Sequence, residues 1–151
     1  MIKTVMCSNC FRLYRFYFNK RIIINTENIK LESYETYNIK ICKCGKEDIE
    51  AFELDNDIAS AISKLNKKGF YTLYCCSGHK DGSVEGYILF KNKNILDYLY
   101  LLPISWDIDL EWFKHIGSVK IISDKYEQNK EEYLNDLNEF VNNLPDISKK
   151  K

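Results

Sequence analysis

The chain has 151 residues, 45% of them hydrophobic and 14% aromatic, and its 22 basic and 22 acidic side chains give no net charge. That composition can bury a core, while two prolines and six glycines exclude long linkers and low-complexity tracts. No apolar run approaches the roughly 18 residues of a membrane span, and Met1–Met6 lacks a secretory signal's apolar stretch, so a cytoplasmic location is expected.

In chain order, Phe11–Phe18, Arg21–Ile24 and Tyr37–Ile41 are rich in aromatic and β-branched residues and read as short strands. Asn25–Asn28 and Glu32–Thr36 separate them, and Ile49–Leu54 alternates apolar and acidic residues as a further strand. Asp55-Asn56-Asp57 is a helix-start signal, Ile58, Ala61, Ile62 and Leu65 share one face, and Gly69 is placed to stop that helix. Phe70–Cys76 is nearly all apolar and predicts a buried strand. Ser77–Ser83 reads as a loop, and Tyr87–Phe90 as the returning strand. Ile95–Leu102 predicts a short helix ending against Pro103, followed by strands at Ile104–Leu110 and Ser118–Ile122. A last helix begins near Ser123 or Asp124, with Glu127 in capping-box position, and carries Tyr126, Tyr133, Leu134, Leu137, Phe140, Val141 and Leu144 at helical spacing. This stripe predicts core, or pairing with a second copy. There is no internal repeat.

Six cysteines in a reducing compartment point to metal or catalysis before disulfides. Cys7 and Cys10 form a Cys-x2-Cys pair, and Cys42 and Cys44 a Cys-x-Cys-Gly pair. Zinc takes four tetrahedral ligands, and thiolates paired on tight turns supply two at a time. Gly45 suits the positive φ that such a turn uses. The alternative is four unrelated buried thiols, packed as small hydrophobes. Residues 5–46 resemble the zinc-ribbon family, with Cys7, Cys10, Cys42 and Cys44 in the ligand positions. The short second pair and the long interval between pairs depart from its commoner pattern. The resemblance implies one structural zinc ion, in a module that binds nucleic acid or protein or supports a neighbouring domain.

A second cluster is Thr72-Leu73-Tyr74-Cys75-Cys76-Ser77-Gly78-His79. His79 beside Cys76 can lower a thiol pKa and make a nucleophile. Cys75 or Cys76 with His79 can bind a second metal if His115 or an acid joins them. Ser77, Gly78 and backbone N–H groups can cradle an anion. In the plainer reading the cysteines are core and His79 sits in a solvated turn. Residues 72–79 are similar to a stretch in the methyltransferase family of wybutosine synthesis on tRNA, with His79 in place of an arginine. They also resemble uncharacterised small cysteine-rich proteins of low-GC bacteria and phages. The first likeness implies chemistry on RNA, the second no activity.

Residues 1–46 hold nine Lys/Arg and three acids, and the remainder is correspondingly acidic. Within Phe11–Arg21 basic residues interleave with aromatics, as on single-strand nucleic-acid surfaces, which makes Arg12, Arg15, Lys20 and Arg21 the candidate contacts. A half-buried ribbon strand has the same pattern. Overall neutrality argues against tight nonspecific DNA binding. Asp107, Asp109 and Glu111 would share one strand face, as a cation site or a solvated surface.

The expectation is an α+β protein: a zinc ribbon over residues 1–46, a compact domain of antiparallel strands and about three helices over 47–146, and a disordered basic tail at 147–151. The leading function is a non-catalytic binding or regulatory protein. Its partner would be a nucleic acid, a nucleoprotein or another protein, and a phage-encoded or mobile-element inhibitor fits the size. The competing class is an RNA-modifying or thiol-dependent enzyme centred on Cys76 and His79.

Overall fold

In the computed structural model, residues 2–19, 22–24, 29–31, 37–78, 85–123 and 130–148 are described. The chain is α+β, with two antiparallel sheets, and falls into two units that divide inside a helix, after Ser63.

The N-terminal unit is built on a six-stranded sheet. Its strands are β1 (Ile2–Cys7), β2 (Leu13–Asn19), β3 (Ile22–Ile24), β4 (Ile29–Leu31), β5 (Tyr37–Ile41) and β6 (Glu47–Leu54), in the order β3-β2-β1-β6-β5-β4. β1 is central, and Thr4, Val5, Met6 and Cys7 are all buried. Successive strand residues point to opposite faces, so both faces of β1 are covered. β1 pairs with β2 (Val5 with Tyr14) and with β6 (Cys7 with Ala51, Thr4 with Leu54). Glu47–Leu54 therefore lies in this same N-terminal sheet, between β1 and β5. The helix α1 (Ala59–Lys67) starts after Asp55-Asn56-Asp57 and buries Ala59, Ala61, Ile62 and Leu65 along one stripe. It stops where the sequence places the stop, at Gly69, whose φ of 98° is left-handed.

The C-terminal unit holds a four-stranded sheet of β7 (Thr72–Ser77), β8 (Gly86–Phe90), β9 (Asp107–Ile108) and β10 (Lys120–Ser123), in the order β7-β8-β10-β9. Two further α-helices, α2 (Leu110–Ile116) and α3 (Lys130–Asn143), and a 3₁₀ helix (Lys93–Leu101) complete it. The α3 stripe is core: Tyr133, Leu137, Phe140 and Val141 are at most 1% exposed. Ile88, Phe90, Ile95, Val119 and Ile121 are buried in the same unit.

Two local expectations are corrected. Phe70–Cys76 is not a fully buried strand: β7 lies at the sheet edge, and Leu73 and Tyr74 are 48% and 68% exposed. The run Ile104–Leu110 is not one strand either. Pairing with β10 covers only Asp107 and Ile108, and Asp109 then caps α2 by accepting a hydrogen bond from the backbone N–H of Trp112 at 3.0 Å. Asp107, Asp109 and Glu111 therefore do not line one strand face. The expected helix-start residues 124–129 and the lysines at 149–151 lie outside the described residues. Among the described residues, no helix is long and apolar enough to cross a membrane.

Candidate metal centre

The four ribbon cysteines come together because each pair occupies a hairpin turn. Cys7–Arg12 links β1 to β2, and Cys42–Lys46 links β5 to β6. β1 runs into the first turn, β6 runs out of the second, and the two strands pair antiparallel, so both turns lie at one end of the sheet.

The turns are built alike. In the first, Cys7 N–H donates to Arg12 O at 3.0 Å and Phe11 N–H to Cys7 O at 2.9 Å. In the second, Cys42 N–H donates to Lys46 O at 3.0 Å and Gly45 N–H to Cys42 O at 2.9 Å. The residue after the second cysteine has positive φ in both: 65° at Phe11 and 91° at Gly45. The Cys-x-Cys pair thus makes the same kind of knuckle with one residue fewer. Phe11 holds a conformation that costs a side-chain-bearing residue about 1–2 kcal/mol. Its carbonyl is fixed by the Ser63 hydroxyl at 2.6 Å.

All four Sγ atoms lie within 4.8 Å of one another, and Cys10 Sγ and Cys42 Sγ are 3.5 Å apart. Tetrahedral zinc–thiolate bonds of about 2.3 Å place sulfurs about 3.8 Å apart, so the donor set and spacing fit one such ion. Cys7 and Cys42 are buried, Cys10 is half-buried and Cys44 is exposed.

Backbone amides point at every sulfur. Asn9 and Cys10 N–H groups serve Cys7, that of Arg12 serves Cys10, that of Cys44 serves Cys42, and that of Lys46 serves Cys44. Two side chains of the first hairpin reach across to the second pair: Tyr14 Oη lies 3.0 Å from Cys42 Sγ, and Asn9 Nδ2 lies 3.4 Å from Cys44 Sγ. Without metal, burial pushes the Cys7 thiol up, and Cys10 up to about 12. Burial acts to raise Cys42 as well, but the Cys44 N–H and the Tyr14 hydroxyl hold it below its ordinary value. The Lys46 N–H, then the Asn9 amide, draw exposed Cys44 down to about 6. Burial, then Cys42, raises the pKa of the Tyr14 hydroxyl, which keeps its proton.

Of the candidate binding residues, Arg12 and Arg15 are exposed, whereas Lys20 and Arg21 lie outside the described residues. Lys43 and Lys46 are exposed on the second knuckle. The basic bias is local, because residues 47–63 add Glu47, Asp48, Glu50, Glu53, Asp55 and Asp57 without a single Lys or Arg.

Cys75 and Cys76 are half-buried on β7, paired with Ile88 and Tyr87. Cys76 Sγ accepts a hydrogen bond from Gly78 N–H at 3.4 Å. His79 lies outside the described residues. His115 is exposed on α2, with Nε2 3.4 Å from Glu111 one turn earlier. The described residues therefore bring His115 to its own helix neighbour, and only the four ribbon cysteines form a metal-ligating cluster among them. Compared with protein-family models, curated proteins and solved structures, the chain matches none.

The sequence reading missed Asn9 and Tyr14. Tyr14 falls in the aromatic–basic run Phe11–Arg21, which reads either as a nucleic-acid surface or as a half-buried strand. Nothing in one-dimensional spacing distinguishes it from the aromatics around it.

Proposed function

We propose that the chain is a zinc-stabilised, non-catalytic binding or regulatory protein whose N-terminal knuckles hold one structural zinc ion through Cys7, Cys10, Cys42 and Cys44. The supporting observation is the convergence of four cysteine sulfurs, each facing backbone N–H groups, at one end of the sheet. Four protein thiolates fill a tetrahedral shell, whereas catalytic zinc keeps one position open for water or substrate. When bound, the ion would cross-link the two hairpins and contribute to folding rather than to bond-making.

The partner reading is an anionic surface, with nucleic acid or nucleoprotein ahead of a second protein. The C-terminal unit exposes Tyr71, Leu73, Tyr74, Tyr100, Ile104, Leu110 and Ile116. The knuckle end offers Ser8, Asn9, Arg12, Lys43 and Lys46 instead. Protein interfaces lean on apolar and aromatic anchors, while nucleic-acid interfaces are polar and positive.

Elemental analysis of purified protein tests the metal reading. One zinc per chain is expected, lost together with the ribbon fold in Cys42→Ser. Absence of zinc in the wild type, or full retention in that variant, overturns it.

A further inference from the structure

The Cys42 sulfur is in an unusual position among the four. Its residue is 1% exposed, so water does not solvate it, and the backbone N–H directed at it is that of Cys44. A buried anion short of donors is costly. The remaining donor comes from the other hairpin. Tyr14 follows the first knuckle on β2, and its hydroxyl accepts the backbone N–H of Lys43 at 3.2 Å while lying 3.0 Å from Cys42 Sγ. The Lys43 bond occupies the oxygen as acceptor, and a metal-bound thiolate has no proton to give. The phenolic proton therefore points at the sulfur, a charge-assisted bond. Asn9 repeats the arrangement at Cys44, where the exposed sulfur also has water available.

Resting on the metal reading above, we propose that Tyr14 is a positioning residue of the metal centre. Its hydroxyl stands in for water at the buried Cys42 thiolate, fixes the second knuckle against the first, and sets how tightly the ion is held. Asn9 plays the lesser, solvent-assisted counterpart at Cys44. Four thiolates on a divalent ion leave about two surplus negative charges, and the donors that disperse them decide how readily a proton or a chelator displaces the metal. Outer donors of this kind typically change metal affinity about 10- to 100-fold.

The test compares wild type, Tyr14→Phe and Asn9→Ala as full chains, by chelator competition for zinc and by absorption of the cobalt(II)-loaded proteins. Tyr14→Phe should bind zinc about 10- to 100-fold more weakly. Its sulfur-to-cobalt charge-transfer band should move to lower energy, because a sulfur without its hydrogen bond gives up an electron more easily. Asn9→Ala should shift both readouts in the same direction by less. Affinity within twofold of wild type with an unmoved band overturns the proposal. A loss of affinity with an unmoved band also overturns it, since that reports lost packing of the ring. Should Tyr14→Phe fail to fold, Asn9→Ala at an exposed residue decides on the same band. A wild type that takes up neither metal removes the zinc reading itself, whereas a loaded wild type with unaffected variants removes only the role of Tyr14.

Discussion

The ammonium group of Lys68 lies 2.7 Å from the carbonyl oxygen of Leu144, and equally close to that of Val141, with Asn142 O at 3.2 Å. Val141 and Asn142 belong to the last turn of α3 and Leu144 follows it directly, where carbonyl partners within the helix have run out. The Lys68 backbone carbonyl accepts Ile147 N–H at 2.8 Å, so one residue closes the helix end twice. Lys68→Met leaves the backbone bond and removes the cation. It should destabilise the C-terminal unit by about 1–2 kcal/mol, the worth of a few partly exposed charge-assisted bonds at a helix C-terminus. A lowered urea midpoint with an unchanged slope is the expected reading.

To the extent that the N-terminal hairpins stay folded once the metal is removed, their stability should depend on pH in two opposed windows. Cys44 has a folded-state pKa of about 6 against an ordinary 9.0. Its contribution is complete above 9 and lost as pH falls through about 6. Cys10 is pushed from 9.0 up to about 12, so its contribution is present below 9 and lost as pH rises towards 12. Denaturation of reduced, chelator-treated protein should therefore show stability rising from pH 6 towards 9 and falling beyond it. Cys44→Ser should weaken the lower arm, to which Cys42 also contributes, and leave the upper arm in place.

Zinc binding should release protons at pH 7, at least the one that Cys10 retains there. Each proton released makes affinity climb about tenfold per pH unit. Calorimetry in buffers of different ionisation enthalpy counts these protons. A heat that does not change with buffer would mean that the cluster is already fully deprotonated.

Charge reversal at exposed Arg12 and Arg15 should weaken binding of a single-stranded oligonucleotide and reduce its salt dependence, by about 0.7 in log–log slope per lost phosphate contact. Zinc content and melting temperature should stay near wild type, because both side chains are solvated. Unchanged affinity would move the contact elsewhere on the surface. Absence of any DNA or RNA binding would favour a protein partner.

Cys76→Ala should cost about 1 kcal/mol through lost packing of a half-buried side chain and leave zinc at one per chain. A catalytic Cys76 would instead be alkylated rapidly near pH 7, well below the ordinary thiol range of about 8.5. Alkylation rates across pH in the folded protein separate the two.

Legibility followed the kind of signal involved. The four clustered cysteines, α1 with its Gly69 stop, and the buried stripe of α3 were readable because each rests on short spacing or helical periodicity. β1 was not read as a strand: Ile2–Cys7 shows no clean alternation, and over Thr4–Cys7 side chains on both faces are buried. Phe11 at positive φ was invisible because that conformation normally announces itself as glycine. α2 was hidden inside an apparent alternation, Asp107 to Trp112, whose polar members turned out to be a strand residue, a cap and a first-turn acid. Whether Phe70–Cys76 is interior or edge depends on neighbours distant in sequence, which spacing alone does not encode.

The pairing of Thr4 with Leu54 across the middle of the N-terminal sheet carries a consequence for biosynthesis. The ribosome delivers β1 and β2 together, and they can close as a hairpin at once, but β6 emerges only after three intervening strands. During that interval Cys7 and Cys10 are a finished half-site with no second pair. An ion captured early would wait there with two open positions, and the arrival of Cys42 and Cys44 would complete its shell as β6 docks. Nascent chains arrested before Cys42 should therefore exchange zinc rapidly, and chains extended past Leu54 slowly.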